Sequence, residues 1–126
     1  MDENALSQII VDAAIEVHRV LGGPGLLESI YRDALAMEIE SRNVKVEREK
    51  LLPVTYKGRI VSAPLRLDLL VGGLVVVECK AVITYNSIFE SQVLTYLRLT
   101  GLKLGMVINF GQTLVKYGIH RVVNGL

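Results

Sequence analysis

The apolar positions in the first third of the chain repeat with the period of an α-helix. From Glu3 to Leu21 they recur every three or four residues, which predicts an amphipathic helix ending at Gly22 and Gly23. Pro24 and Gly25 are typical of a helix start, and the apolar spacing continues to about Arg42. The residues expected on the buried side of this second helix are Leu27, Ile30, Tyr31, Ala34 and Met37.

Beyond the second helix the apolar period changes to two, which indicates strands. The first predicted strand runs from Val44 to Tyr56, where Lys57 and Gly58 supply a turn. The second covers Arg59 to Val71 and is interrupted near Pro64. The third, Leu74 to Val82, is apolar on both faces, as in a central strand that is covered on both sides.

The last third of the chain predicts one more helix and two more strands. Ser87 to Glu90 has the S-x-x-E pattern of a capping box, and helical spacing then continues to Gly101. Leu104 to Phe110 reads as a buried strand, and Thr113 to Val123 alternates like an edge strand. The predicted order is therefore α-α-β-β-β-α-β-β.

Composition narrows the class of protein. The 126 residues are 51% hydrophobic and 21% charged, so we expect one globular domain over residues 1–126 that folds without a partner. No stretch of the chain approaches the roughly eighteen consecutive apolar residues that a membrane span needs. The acidic start of the chain predicts no signal peptide, and the single Cys79 fits a reducing compartment. We therefore expect a cytoplasmic protein.

Charge is unevenly distributed along the chain. Residues 1–50 hold ten acids and six bases, whereas residues 51–126 hold three acids and eight bases. The basic half fits either a face for a polyanion or an ordinary solvated surface. The only acids after residue 50 are Asp68, Glu78 and Glu90, and the first two lie in strongly apolar segments. Those two acids need an explanation.

Strand geometry can bring the two acids together. Glu78 and Lys80 are two apart on the third strand, so both side chains leave the same face. A two-residue turn at Gly72 and Gly73 would put Asp68 on the opposite face from Glu78. A three-residue connection, or a bulge with Gly73 in the left-handed region, would put the acids and the lysine on one face. We expect the odd connection.

Two converging carboxylates form a hard oxygen site that suits Mg²⁺ or Mn²⁺. Beside that ion, Lys80 could orient a water molecule, help to deprotonate it, or stabilise charge developing on a phosphate. The alternative is a strand-borne salt bridge without a metal.

Several segments resemble the motifs of the GxxExxY proteins, over about residues 5 to 123. The matching segments, in chain order, are Gly25–Tyr31, Arg66–Val71, Glu78–Ala81, Gln92 and Ile108–Phe110. That family is placed in the PD-(D/E)xK nuclease-like superfamily. The resemblance implies an α/β fold with a mixed central sheet between helices, in a core order α-β-β-β-α-β that the predicted elements contain.

The resemblance also implies roles for individual residues. Asp68 and Glu78 would be metal ligands and Lys80 the catalytic lysine, with Glu28 as the acid from the core helix that completes the site. Gln92 would be the polar residue supplied by the helix after the third strand. Glu28 is also what a helix dipole favours in a first turn, and Gln92 also fits a plain polar face. Glu90 is better explained by the capping box than as a ligand.

Two functions remain open on the sequence. The first is a Mg²⁺-dependent phosphodiester hydrolase acting on nucleic acid, DNA more than RNA. The second is a non-catalytic nucleic-acid-binding or protein-interaction module that keeps the nuclease-like fold. The complete acid, acid and lysine set favours the enzyme, whereas the small net charge of +1 favours weak or partner-dependent binding.

Overall fold

A computed structural model describes all residues from Met1 to Leu126. The helices are α1 (Glu3–Leu21), α2 (Glu28–Ser41) and α3 (Ile88–Thr100). The strands are β1 (Val46–Leu52), β2 (Thr55–Tyr56), β3 (Arg59–Ile60), β4 (Leu65–Val71), β5 (Val75–Lys80), β6 (Leu104–Asn109) and β7 (Ile119–Val123), with a 3₁₀ turn at Val115–Gly118. None of the helices has the length and apolar character needed to cross a bilayer.

Five strands form one mixed sheet in the order β1-β4-β5-β6-β7, and β2 and β3 form a separate ribbon. β5 and β6 are parallel and are joined through α3, whereas the other neighbours in the sheet are antiparallel. This arrangement confirms the predicted mixed sheet flanked by helices. It also puts β5 at the centre and β7 at an edge, as the apolar patterns predicted.

Apolar side chains are buried on both faces of the sheet. On the face covered by α1 and α2, a cluster of 21 buried residues includes Tyr31 and Phe110. On the other face, Val93 and Leu97 of α3 belong to a cluster of seven that includes Val76 of β5. The third helix therefore covers the opposite side of the sheet from the first two.

The buried face of α2 corrects the prediction. The helix begins at Glu28 rather than at the Pro24–Gly25 pair, and Leu27 is extended and 70% exposed. The exposed members of the predicted stripe are Leu27, Ile30 and Met37, and the buried residues of the helix are Tyr31, Leu35, Ala36 and Ile39. The Tyr31 ring stacks on Phe110 at a centroid distance of 4.8 Å. That contact fixes the inward face and leaves Leu27, Ile30 and Met37 of the predicted stripe in solvent.

The strands between the helices are more broken than predicted. Pro53 follows β1 and Pro64 precedes β4, because a proline has no N–H to donate to a ladder. The residues expected to continue the first strand to Tyr56 therefore leave the main sheet and pair with Arg59 and Ile60 as the ribbon β2–β3.

The segment predicted as a last strand from Thr113 to Val123 is strand only from Ile119 onward. Its first half contains the 3₁₀ turn, which packs against the end of β6. A Cβ at Gly118 would lie 2.2 Å from the carbonyl oxygen of Asn109, so only glycine permits this approach. The close backbone contact replaces strand pairing there.

Candidate functional site

The β4–β5 hairpin has the odd connection that the sequence analysis expected. Val71 pairs with Val75, and the three residues between them include Gly72 and Gly73, both at positive φ (60° and 71°). Continued along the strands, this register puts Asp68 opposite Glu78. The two-residue turn, which would have separated the acids onto opposite faces, is excluded.

The regular ladder between β4 and β5 stops where the two acids meet. The backbone N–H of Asp68 donates to Oε1 of Glu78 at 3.1 Å, and the N–H of Cys79 donates to Oδ2 of Asp68 at 3.1 Å. Each carboxylate thus accepts a hydrogen bond from the backbone of the opposite strand. The strands separate there without leaving buried donors unsatisfied, and the acids are held at the opening.

Burial and mutual repulsion make this acid pair electrostatically unfavourable. Asp68 is 4% exposed, and Glu78 is half-buried. Loss of solvation, followed by the charge of Asp68, raises the pKa of Glu78 from its ordinary 4.5 to about 8. At neutral pH the pair therefore favours taking up positive charge, either as a proton or as a cation.

Two arginines and a third acid surround Asp68, and the sequence alone did not predict a role for them. Arg66 Nη1 lies 3.0 Å from Asp68 Oδ1, and its Nη2 lies 3.0 Å from Glu49 Oε1. Arg32 Nη1 lies 3.9 Å from the same Asp68 oxygen. Hydrogen bonding and attraction to Arg66, and attraction to Arg32, lower the pKa of Glu49. One available signal was that Arg32 is four residues after Glu28 on the same helix face.

Lys80 is directed towards α3. Its Nζ lies 4.6 Å from the centre of the Phe89 ring, an arrangement that attracts the ammonium to the ring face. Farther along α3, burial and then the charges of Glu78 and Asp68 raise the pKa of Tyr96. Lys80 and Glu78 therefore share the face of the sheet that α3 covers.

Gln92 lies on the same side of α3, three residues after Phe89 and four before Tyr96. Its side chain is exposed and makes no hydrogen bond. It faces the solvent rather than packing into the core.

Glu28 approaches from the other side of the sheet as the first residue of α2, and it is half-buried. Burial raises the pKa of the Cys79 thiol well above its ordinary value, and the charges of Asp68, Glu78 and Glu28 add to this rise. No three acidic, histidine or cysteine side chains are close enough together to form a ligand cluster. The structure thus brings Asp68, Glu78 and Lys80 together, and Glu28 does not join the two acids in a three-residue ligand cluster.

Tyr31 fixes the loop that leads into Glu28. Its hydroxyl donates to the carbonyl oxygen of Gly23 at 2.7 Å and accepts from the N–H of Leu26 at 3.1 Å. The ring is fully buried, which confirms the prediction that Tyr31 packs in the core. The three residues therefore have different structural places: Gly25 lies in the loop, Glu28 begins the helix, and the buried Tyr31 holds the loop against the helix.

The predicted capping box at the start of α3 is wrong. Ser87 makes no side-chain bond to the helix, and the N–H of Ile88 instead donates to Oδ1 of Asn86 at 2.9 Å. Glu90 accepts from the Tyr85 hydroxyl at 3.2 Å. The Tyr85 ring stacks on His120 of β7 at 4.0 Å, so Glu90 joins the helix to the last strand.

The donor set fits a hard divalent cation. Mg²⁺ is commonly held by one or two carboxylates together with water and phosphate oxygens, so two acids suffice without a third. Asp68 and Glu78 are the residues that would hold it, and the raised pKa of Glu78 marks a carboxylate that positive charge would stabilise.

Comparison with known proteins shows the family of this chain. The chain belongs to the PD-(D/E)XK nuclease superfamily, whose family model matches residues 4–122. Nucleases of this superfamily generally use divalent metal ions, and membership indicates a nuclease-like domain that interacts with nucleic acid.

The chain is also similar to a solved structure described as the crystal structure of SSO0001. The TM-score is 0.46 and the sequence identity 17%, over 93% of this chain and 67% of that chain. No curated protein matches the chain.

Proposed function

We infer that the protein is a metal-dependent nuclease that hydrolyses phosphodiester bonds of nucleic acid, with DNA as the expected substrate. The observation that carries this inference is the pair Asp68 and Glu78, held at the opening between β4 and β5 with Lys80 beside Glu78. The proposal includes membership of the GxxExxY family, a single domain over residues 1–126, and a cytoplasmic location.

In this proposal Asp68 and Glu78 hold Mg²⁺ or Mn²⁺, and Glu28 completes the ligand set. Such a cation, when bound, supplies a Lewis acid beside the phosphate. Glu28 is the first residue of α2, and in this proposal its carboxylate moves to the ion when the ion binds.

Lys80 and Gln92 act on the nucleic acid itself. Hydrolysis adds water across a P–O bond, and negative charge grows on the phosphate oxygens as the water oxygen attacks. The Lys80 ammonium, held beside Phe89, is positioned to donate a hydrogen bond to one of those oxygens. The exposed amide of Gln92 is available to the incoming strand on the same side of α3.

A non-catalytic nucleic-acid-binding or protein-interaction module is the second candidate. Two observations favour it: the acids do not form a three-membered ligand cluster, and Arg66 occupies Oδ1 of Asp68 as a salt-bridge partner. A protein that had lost cleavage could keep the fold and use the arginine to neutralise the remaining acid.

Cleavage assays with Lys80→Ala separate the two candidates. With Mg²⁺ or Mn²⁺ we expect the wild type to cut nucleic acid and Lys80→Ala to be at least about 100-fold slower, with metal binding retained, because the lost contact is made mainly in the transition state. Lys103→Ala is the matched control, since Lys103 precedes β6 at the opposite end of the β5–β6 ladder from Lys80.

Single-stranded, duplex and branched substrates at low salt are needed, so that weak binding is not lost. Cleavage that survives in Lys80→Ala contradicts the role of the lysine. Absence of cleavage by the wild type on all three substrates supports the binding module instead.

A further inference from the structure

Two arginines from different elements converge on the same two carboxylate oxygens. Arg66 of β4 contacts Asp68 Oδ1 and Glu49 Oε1, each at 3.0 Å. Arg32 of α2 lies 3.9 Å from the same Asp68 oxygen and 3.6 Å from the same Glu49 oxygen. The two guanidinium groups are therefore held side by side at the edge of the Asp68–Glu78 site.

The backbone is distorted to place Glu49 there. Glu49 has φ +48°, in the left-handed region that residues other than glycine rarely adopt. The β1–β4 ladder pairs Arg48 with Leu69 and Lys50 with Leu67, and it omits the position between them, where Glu49 faces Asp68. An unfavourable conformation at this one position directs a carboxylate at the two arginines.

Stability alone does not account for this arrangement. The side chain of Glu49 is 57% exposed and that of Arg66 43% exposed, so water screens their ion pair. Exposed ion pairs of this kind contribute little to folding. The strained glutamate is better explained by the position it imposes on the guanidinium groups.

The arginines retain unused hydrogen-bonding capacity. A guanidinium carries five N–H donors in a planar fork, and Arg32 is too far from either carboxylate oxygen to spend any of them in a hydrogen bond. Such a fork matches the oxygens of a phosphate. When Asp68 binds a cation instead of Arg66, the Arg66 guanidinium also has a free N–H donor directed towards the Asp68–Glu78 site.

We propose that Arg32 and Arg66 form a phosphate-binding pair that grips the nucleic-acid backbone beside Asp68 and Glu78, with Glu49 as the positioning residue. This rests on the proposed function and extends it to the phosphate next to the one that is cut. When the strand binds, a phosphate takes the place of Asp68 as a partner of Arg66, while Glu49 keeps the guanidinium in position.

Binding without metal tests the pair separately from cleavage. The full chain in chelator is titrated with fluorescent single-stranded and duplex oligonucleotides over a salt series. We expect Arg32→Gln and Arg66→Gln each to weaken binding about 10-fold at 50 mM salt and to lower the salt slope by about 0.7–0.9, the loss of one phosphate contact.

Arg42→Gln is the matched control. It removes the same charge at the C-terminal end of α2, where Arg42 directly follows the helix about 15 Å from Arg32, and it also breaks an ion pair, with Glu38. We expect its affinity and salt slope to match the wild type. Equal losses in all three variants would show general charge attraction and overturn the pair.

Arg66→Lys tests the forked geometry. Because the substitution keeps the positive charge, we expect the salt slope of the wild type, which Arg66→Gln lowers. Affinity for the oligonucleotide should stay at least about threefold below the wild type, because an ammonium cannot make two parallel hydrogen bonds to a phosphate. Affinity equal to the wild type would overturn the forked contact. Unfolding of Arg66→Gln would also reduce its affinity for the oligonucleotide. Arg32→Gln controls for this, because the substitution breaks no short hydrogen bond.

Failure of this proposal and failure of the nuclease proposal give different results. If the wild type binds and the Arg32 and Arg66 variants bind equally well, the phosphate-binding pair is overturned, and cleavage by the wild type still stands or falls with Lys80→Ala. If the wild type binds no oligonucleotide and cuts none, both proposals are overturned.

Discussion

The two edges of the central strand β5 are built differently. Along the edge facing β6, all residues from Val75 to Lys80 are paired. Along the edge facing β4, pairing stops after Val77. Beyond it the N–H of Cys79 donates to the carboxylate of Asp68, and the N–H of Asp68 on β4 donates to the carboxylate of Glu78. The edge facing β6, here called the closed edge, thus holds the strand in place. The edge facing β4, here called the open edge, carries the two acids. A buried strand can carry charged groups in this way because the carboxylates replace the missing carbonyl acceptors.

The closed edge can be broken at Asn109, the fully buried last residue of β6. Its Oδ1 accepts from the N–H groups of Val82 and Gly111, and its Nδ2 donates to the carbonyl oxygen of Val82, all at 3.0 Å. We expect Asn109→Ala to lower the free energy of unfolding by about 2–4 kcal/mol, because three backbone groups lose their partner. Urea denaturation in chelator measures the loss.

Asn124→Ala is the control for that experiment. The side chain of Asn124 makes one hydrogen bond, from Nδ2 to the carbonyl oxygen of Leu102 at 3.1 Å, at the other end of β6. We expect a loss of about 1 kcal/mol. Equal losses in the two variants would show that Asn109 does not anchor the closed edge.

The acids at the open edge should make the free energy of unfolding depend on pH. Glu78 takes up a proton at about pH 8 in the folded protein but near 4.5 when unfolded, so the folded state binds more protons between these values. The free energy of unfolding in chelator should therefore fall as pH rises from about 4.5 to about 8. Glu78→Gln should flatten this fall and raise stability at pH 8 by more than about 1.4 kcal/mol, the equivalent of one pKa unit.

Melts of the wild type and Glu78→Gln across this pH range make the comparison. Glu47→Gln, in β1 and paired with Lys50, is the control and should keep the wild-type slope. A slope that persists in Glu78→Gln would assign the titration to another group. Asp68→Asn should not stabilise in the same way, because it also removes the partner of Arg66.

The smallest effect concerns the position of Lys80. Phe89→Leu removes the ring beside its Nζ, and we expect a loss of about 0.5 kcal/mol in the free energy of unfolding. A double-mutant cycle with Lys80→Met isolates the contact and should give a coupling of similar size. The pair Lys116 and Tyr117, at 5.1 Å, offers a control cycle away from the acids. Zero coupling between Lys80 and Phe89 would show that the ring does not hold the lysine.

The sequence predicted those parts of the molecule that local periodicity and parity determine. The alternation of side chains along the two strands, together with the two glycines between them, was enough to predict that Asp68 and Glu78 share a side. One residue more or less in the connection decides whether the two acids lie on the same face or on opposite faces. Central placement of β5 followed from its apolar character on both faces. Both features depend on residues close together in the chain.

Tertiary contacts decided what could not be predicted. The inward face of α2 depends on Tyr31 meeting Phe110, which is 79 positions away along the chain. The grouping of Arg32, Glu49 and Arg66 depends on one interrupted position in the pairing of β1 with β4. The residue at that position, Glu49, has a left-handed backbone, but it is not a glycine, so the sequence gives no sign of that conformation. Such local exceptions arise from packing between elements, and periodicity does not record them.

Titration with Mn²⁺ measures whether the edge of β5 that faces β4 is a cation site formed by Asp68 and Glu78. Calorimetry on the wild type, Asp68→Asn, Glu78→Gln and Glu38→Gln makes the comparison, where Glu38 is a half-buried acid of α2 paired with Arg42. We expect Mn²⁺ to bind the wild type and Glu38→Gln, with affinity at least about tenfold weaker in Asp68→Asn and in Glu78→Gln. Unchanged Mn²⁺ affinity in both Asp68→Asn and Glu78→Gln would contradict it.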